Sequence, residues 1–192
     1  VKIVVATGNQ GKLKEIRRLL EGRSFEVLGL ADFSDLPEVI EDGETFAVNA
    51  EKKARTIAAA TGLTTLADDS GLTVAALDGA PGVYSARFAG EGASDAENNR
   101  KLLAELEGVP ASRRQAAFIC AMALCSPEGK VQHFSGRLEG VILEAEQGAG
   151  GFGYDPLFWI EEKNGTLSEL SVDVKNLISH RGQALRALLA VM

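Results

Sequence analysis

The sequence predicts an α/β protein built on a mixed sheet, and three observations carry that reading. A β-branched run at 2–6 is broken by Thr7-Gly8-Asn9 and followed by a periodic stretch at 12–20, which is strand, polar loop, helix. An apolar stripe at helical spacing, Phe46, Ala50, Ala54, Ile57 and Ala58, is closed by Gly62 and predicts a second helix over 45–60. Two long β-rich stretches, 115–125 and 130–144, flank the Pro-Glu-Gly turn at 127–129 and form a hairpin signal.

The remaining elements follow from turn and cap chemistry. From Thr64 the chain reads as a strand ending at Asp68-Asp69, then a turn, then the extended stretch LTVAAL before the Gly-Ala-Pro-Gly turn at 79–82. Ser94-Asp95-Ala96-Glu97 has the form of a capping box and opens a helix to about Glu107. A glycine-rich loop, GAGGFGYDP at 148–156, precedes a short strand at 157–160, and the tail from Leu170 is mostly helical. With no repeat, low-complexity tract or linker in the sequence, a single domain over 1–192 is expected.

Composition narrows the function classes. A chain of 192 residues with 45% hydrophobic and 24% charged residues can bury a real core and is not of the disordered type. A net charge of −7 argues against a sequence-wide grip on a polynucleotide, so an anionic ligand needs a local basic pocket and a cation. Cys120 and Cys125 lie at an odd offset in an apolar run, on opposite faces of a strand, and are expected to stay reduced. The run VKIVVA is too short for the apolar region of a signal peptide, and no apolar stretch approaches a membrane span. A cytoplasmic protein with no membrane partner is the expectation. Asn164-Gly165-Thr166 fits a glycosylation sequon but without secretion means only a turn.

Five clusters could carry chemistry. In TGNQGK, at 7–12, free N–H groups at a helix start together with Lys12 could hold phosphate oxygens, although the spacing is not that of a P-loop and also suits a plain capped helix. Asp68-Asp69-Ser70-Gly71 offers adjacent carboxylates for a hard divalent cation or a poised water; Glu38, Glu41, Asp42 and Glu44 are candidate partners that spacing does not separate. Thr45, Asn49 and Lys53 form a polar stripe at i,i+4 positions that suits solvent or a cleft. The run GAGGFG satisfies G-x-G-x-x-G, but a strand pattern follows where a dinucleotide fingerprint must open a helix, so Phe152 is either a base-stacking aromatic or a core plug. Lys175, His180 and Arg181 can donate to carbonyl or phosphate oxygens, while a histidine near a helix start also serves structure alone. His133 is assigned to a sheet face without chemistry.

Six stretches in order, TGNQGK (7–12), EDGETFAVNAEKKA (41–54), ADDSGLTVAALDGAPGVYSARFAG (67–90), NNRKLL (98–103), GGFGYDPLF (150–158) and KNLISHRGQAL (175–185), make the chain resemble the inosine triphosphate pyrophosphatase family along nearly its whole length. The resemblance implies an elongated mixed β-sheet flanked by helices, two lobes around a central substrate cleft, and a homodimer. It implies Mg2+-dependent hydrolysis of non-canonical purine nucleoside triphosphates to the monophosphate and pyrophosphate, removing deaminated purines from the nucleotide pool. By the same resemblance Asp69 is the general base and a metal ligand, with Glu41 and Asp68 completing the metal group. Lys12 and Lys53, with Thr7 and Asn9, would meet the triphosphate, and Gly8, Gln10, Gly11 and Ser70 would also touch the substrate. Phe152, Gly153, Tyr154, Asp155, Lys175, His180 and Arg181 would form the nucleoside pocket. Val48 and Ser168 depart from the family pattern, at positions given no chemical role.

The physical expectation agrees with the resemblance. A chain of net charge −7 meeting a polyanion calls for magnesium, with Asp69 orienting or deprotonating a water for attack at the α-phosphorus. Donors from Arg181, His180 or Lys175 at a purine 6-oxo group would be left unpaired by adenine, whereas guanine must be rejected at its 2-amino side. A pyrophosphatase for modified pyrimidine or methylated nucleotides, a nucleotide sensor without turnover, and an interaction protein are the competing readings.

Overall fold

In the computed structural model, which describes residues 1–191, the chain opens as the sequence predicts. Strand β1 (Lys2–Val5) is buried from Ile3 onward and leads into helix α1 (Gln10–Leu20). The helix starts two residues before the apolar period does, because Asn9 is its cap: the Asn9 side chain accepts the Lys12 N–H at 3.1 Å. Strand β2 (Glu26–Gly29), too short to show in the pattern, lies parallel to β1. Helix α2 (Phe46–Thr61) is capped by Thr45 and ended by Gly62, whose left-handed φ of 66° lets its N–H return to the Ala58 carbonyl.

Strand β3 (Thr64–Val74) corrects the sequence reading. The expected strand end and turn at Asp68-Asp69-Ser70-Gly71 do not exist; the backbone stays extended through all four residues. Leu66, Ala67, Leu72 and Val74 are buried on either side of the acidic pair. Gly71 lets a neighbouring turn approach: a Cβ there would lie 2.4 Å from Ser85 Oγ and 2.6 Å from the Gly82 carbonyl oxygen. Ser85 Oγ accepts the Leu72 N–H at 2.9 Å.

Helix α3 (Asp95–Glu105) has the expected Ser94–Glu97 capping box. Strands β4 (Gln115–Cys125) and β5 (Val131–Ile142) form the expected pair, and β6 (Phe158–Ile160) and β7 (Gly165–Thr166) add on antiparallel. The strands make one mixed sheet in the order β2-β1-β3-β4-β5-β6-β7, with β1 parallel to both β2 and β3. The helical tail is two pieces, α4 (Val172–Ile178) and α5 (His180–Leu189), separated at Ser179.

The chain divides into two compact units. Unit 1 comprises Val1–Asp69, Cys120–Gly136 and the chain from Arg181 on. Its sheet is covered on both faces: Ile3, Val5, Leu66, Cys120 and Met122 pack with Leu13, Ile16 and Leu185, while Val4, Ala6, Ala67, Ala123 and Cys125 pack with Ala50, Ala54 and Ile57. Cys120 and Cys125 therefore belong to different clusters, free and buried, as their odd offset requires. Unit 2 comprises Ser70–Ile119 and Arg137–His180, with a core of Leu72, Val74, Leu102, Leu106, Phe118, Ile142, Leu157 and Phe158. Among the described residues no helix is long and apolar enough to cross a membrane.

The packing at Gly71 generates a test. Gly71→Ala has no room for its methyl group against the Gly82 carbonyl, and overpacking of this kind costs about 1–3 kcal/mol. A urea unfolding midpoint below that of the parent protein is the expected result.

Candidate active site

In unit 1 the acidic pair of β3 sits among cations supplied by two helices and the start of α5. Asp68 is 1% exposed. Its Oδ2 meets Lys12 Nζ at 3.1 Å and Arg181 Nε at 3.4 Å. Its carbonyl oxygen accepts Lys53 Nζ at 2.6 Å. Arg181, 2% exposed, also donates from Nη1 to Glu15 Oε2, so two buried carboxylates face one buried guanidinium. Burial alone would push the Asp68 carboxyl up, but Lys12, Arg181 and Lys53 outweigh it and hold the group well below the ordinary carboxylate range. For Arg181 burial works against the charge, and Asp68 and Glu15 more than offset it. The nearby Cys120 thiol is pushed up to about 12, first by burial and then by the Asp68 charge, which leaves it protonated and inert.

Asp69 is in a different state although it is the next residue. Its Oδ2 accepts the Asn49 Nδ2 donor at 2.9 Å, and Asn49 Oδ1 in turn accepts the Gly43 N–H at 2.8 Å. Burial pushes the Asp69 carboxyl up; Lys53, Lys12 and the Asn49 hydrogen bond pull it down, the Glu41 charge raises it again, and the outcome lies above the ordinary range. Glu41 Oε1 accepts Lys53 Nζ at 3.0 Å. The polar stripe of α2 therefore divides: Thr45 is an exposed cap, whereas Asn49 and Lys53 turn inward onto the acidic pair. Of the four acidic residues before α2, Glu41 is the one that joins Lys53 and Asp69; Asp42 pairs with Lys52 at the surface.

The loop after β1 completes this group. Thr7 is buried and its Oγ1 accepts the Asn9 N–H at 3.2 Å; Gly8 and Gln10 are exposed and Gly11 half-buried in the first turn of α1. An exposed helix start with a lysine at Lys12 suits phosphate oxygens. Ser70, half-buried, follows Asp69 on β3 at the start of unit 2.

The other candidates gather in unit 2. Lys175 Nζ lies 4.5 Å from the centre of the Phe152 ring and donates to Asp155 Oδ2 at 2.6 Å. The same Asp155 Oδ2 accepts the Phe152 N–H at 3.0 Å, so one buried carboxylate fixes both the aromatic and the cation above it. Gly151, at φ +71°, passes so close to Asp155 that a Cβ would lie 2.2 Å from Oδ2, which explains a glycine next to Phe152. The Tyr154 hydroxyl donates to the Ser85 carbonyl at 2.6 Å and is held protonated, first by burial and then by the Asp95 charge. The His180 ring is buried and stacks on Phe118 with centroids 4.9 Å apart.

The structure thus brings Lys12, Lys53, Glu41, Asp68, Asp69 and Arg181 together in unit 1, and Phe152, Tyr154, Asp155 and Lys175 together in unit 2. Glu15 escaped sequence reasoning, because it sits in KLKEIRR, which reads as a solvated charged face; Asn49 was marked only as part of a stripe that suits solvent or a cleft. The departures from the family pattern are explained locally: Val48 is exposed, and Ser168 Oγ donates to the Gln147 carbonyl at 2.5 Å at the root of the glycine-rich loop.

Glu41, which shares Lys53 Nζ with the Asp68 carbonyl, and Asp69, tied through Asn49 to Gly43, are both oxygen donors and fit the way magnesium is held by one or two carboxylates with the rest of its shell left to phosphates and water. Asp68 has its Oδ2 engaged by Lys12 and Arg181 and stands beside that pair. No group of three or more ligand side chains occurs among the described residues.

Comparison with known proteins extends these observations. The Ham1 family model matches residues 3–191. A dITP/XTP pyrophosphatase of Geobacter sulfurreducens is 60% identical over 97% of this chain and 94% of its own length. A HAM1 protein structure from Coxiella burnetii superposes with a TM-score of 0.90 at 44% identity, covering 100% of this chain and 98% of that one. A dITP/XTP pyrophosphatase structure from Mycobacterium abscessus gives a TM-score of 0.78 at 45% identity over 98% and 97% of the two chains.

The buried ion pairs yield a prediction with a definite sign. Removing one partner of a buried pair costs about 3–5 kcal/mol, so Asp68→Asn should lower the unfolding free energy by about that amount at pH 7. Because the folded carboxyl is depressed, its contribution is complete above the unfolded value of about 3.9 and fades as pH falls toward the folded value. The stability gap between Asp68→Asn and the parent, followed by denaturant unfolding, should narrow below about pH 4.

Proposed function

The chain belongs to the Ham1 family, and on that premise we propose that it hydrolyses non-canonical purine nucleoside triphosphates, ITP, dITP and XTP, to the monophosphate and pyrophosphate. The observation that carries this reading is the division of labour in unit 1: adjacent carboxylates, one locked as an anion by Lys12 and Arg181, the other raised by burial and hydrogen-bonded to Asn49. A raised carboxyl beside cations suits proton abstraction from water next to an anionic substrate.

Magnesium, held by Glu41 and Asp69 with Asp68 beside them, would supply charge neutralisation of the phosphates. Asp69 orients or deprotonates a water for attack at the α-phosphorus. Asn49 fixes the direction of the Asp69 carboxylate and, through Gly43, the segment that carries Glu41. Lys12 and Lys53 offset the charge on the departing pyrophosphate, with Thr7, Gly8, Asn9, Gln10, Gly11 and Ser70 assigned to the remaining phosphate contacts.

Base recognition is assigned to unit 2. Phe152 offers a ring face for stacking, with Gly153, Tyr154 and Asp155 shaping its loop. Lys175 and His180 are the donors assigned to a 6-oxo group. Adenine would leave such donors unpaired, a mismatch worth a factor of roughly 10⁴. The product of this selectivity is a nucleotide pool cleared of deaminated purines. A cytoplasmic homodimer with a small-molecule substrate and no polynucleotide partner completes the proposal.

The test is an assay of pyrophosphate and orthophosphate with ITP, dITP, XTP, GTP, ATP and dTTP in magnesium buffer. Pyrophosphate from the first three, abolished by chelation and restored by added magnesium, is the expected result; orthophosphate, or turnover confined to the last three, contradicts it. Asp69→Asn should keep nucleotide affinity while turnover falls about 10²–10⁴-fold, the usual contribution of a general base. Near-normal turnover in that variant would remove Asp69 from the role.

A further inference from the structure

The stretch NNRKLL (98–103) has no part in the chemistry above, yet its asparagines are buried and committed. Asn98 ties down the neighbouring turn, accepting the Ala89 N–H at 2.8 Å and donating to the Ala86 carbonyl at 3.1 Å. Asn99, 3% exposed, reaches the glycine-rich loop instead: its Nδ2 donates to the Gly153 carbonyl at 3.1 Å and to Glu146 Oε1 at 2.9 Å. One turn earlier on α3, Asp95 Oδ2 accepts the Gly153 N–H at 2.8 Å. Residues four apart share a helix face, so α3 holds both main-chain groups of a single loop residue.

That residue is the one after Phe152. Gly153 lies at φ +61° with nothing within 4 Å of where a Cβ would be, so the glycine is there for its backbone angle. A loop containing Gly148, Gly150, Gly151 and Gly153 loses much conformational freedom when ordered, and an aromatic on such a loop is directed only if the backbone is held. The Asp155 and Lys175 contacts hold Phe152 from its own side, and α3 holds it from the next residue.

We propose that Asp95 and Asn99 are positioning residues for base recognition: by gripping the N–H and carbonyl of Gly153 they set the direction of the Phe152 ring. The proposal rests on the reading of Phe152 as the base-stacking residue. Neither side chain takes part in phosphate chemistry, so their loss shows in substrate affinity, as the ordering cost moves to the binding step.

Steady-state kinetics on ITP with the full chain tests this through a double-mutant cycle. Asn99→Ala and Asp95→Ala should each raise KM about fivefold, the loss expected for one hydrogen bond, with kcat unchanged within about twofold. Asn99→Leu keeps the volume but not the donor and should behave like Asn99→Ala, whereas a space-filling role would be restored by it. In a Phe152→Ala background the same substitutions should change KM by less than about twofold. An unchanged KM in the single variants, or an undiminished effect without Phe152, overturns the proposal. Asp95 is exposed and α3 keeps its Ser94 cap, so Asp95→Ala decides the matter even if Asn99→Ala fails to fold. If Phe152→Ala leaves KM unaltered, the stacking reading itself falls and the positioning role with it; if Phe152→Ala raises KM and neither α3 variant does, only the positioning role falls.

Discussion

A carboxylate in the middle of a strand, 1% exposed, is the constraint on which unit 1 is built. An isolated buried charge would cost several kcal/mol, so Asp68 holds the interior only because Lys12, Arg181 and, through the main chain, Lys53 converge on it. These cations come from α1, α5 and α2, three helices that otherwise meet the sheet through alanine, leucine and isoleucine. The same convergence prepares Asp69. With the positive charge committed in part to Asp68 and Glu41, burial prevails at Asp69 and its carboxyl becomes the more basic of the two. Two identical side chains in adjacent positions thus acquire different tasks, because successive residues of a strand face opposite sides.

Unit 2 solves a different problem with the same economy of groups. One Asp155 oxygen accepts from the Phe152 main chain and from Lys175, so the aromatic face and its cation share an anchor. Gly148, Gly150 and Gly151 are demanded by close approach to Ser168 and Asp155, where a Cβ at Gly148 would lie 2.1 Å from Ser168 Oγ. Ser168, a departure from the family pattern, uses its hydroxyl to secure the Gln147 carbonyl where that loop begins.

Much of this was legible beforehand, for physical reasons that differ by element. The strand–loop–helix start, α2 and α3 announce themselves because caps and apolar spacing are local signals. Strand β2 was not legible, since its place depends on pairing with β1 and its own four residues carry no alternation. The misread turn at Asp68-Asp69-Ser70-Gly71 shows how tertiary charge pairing overrides local propensity: acidic and small residues favour turns until buried cations hold them in a strand. In the candidate site, lysines and aspartates drew notice because charge is conspicuous. Glu15 did not, because a glutamate among lysines has a sufficient explanation in solvent; Asn49 stood out only within a stripe that suits solvent or a cleft, and Asn99 only within a stretch that carries the resemblance.

The claim that Asp68 anchors and Asp69 reacts is tested most directly by carbon-13 NMR titration of the two aspartate carboxyl groups in metal-free protein, assigned through Asp68→Asn and Asp69→Asn. The account predicts that Asp68 stays ionised to the lowest pH at which the fold survives while Asp69 titrates above the ordinary carboxylate range. The reverse order, or two ordinary titrations, would contradict it.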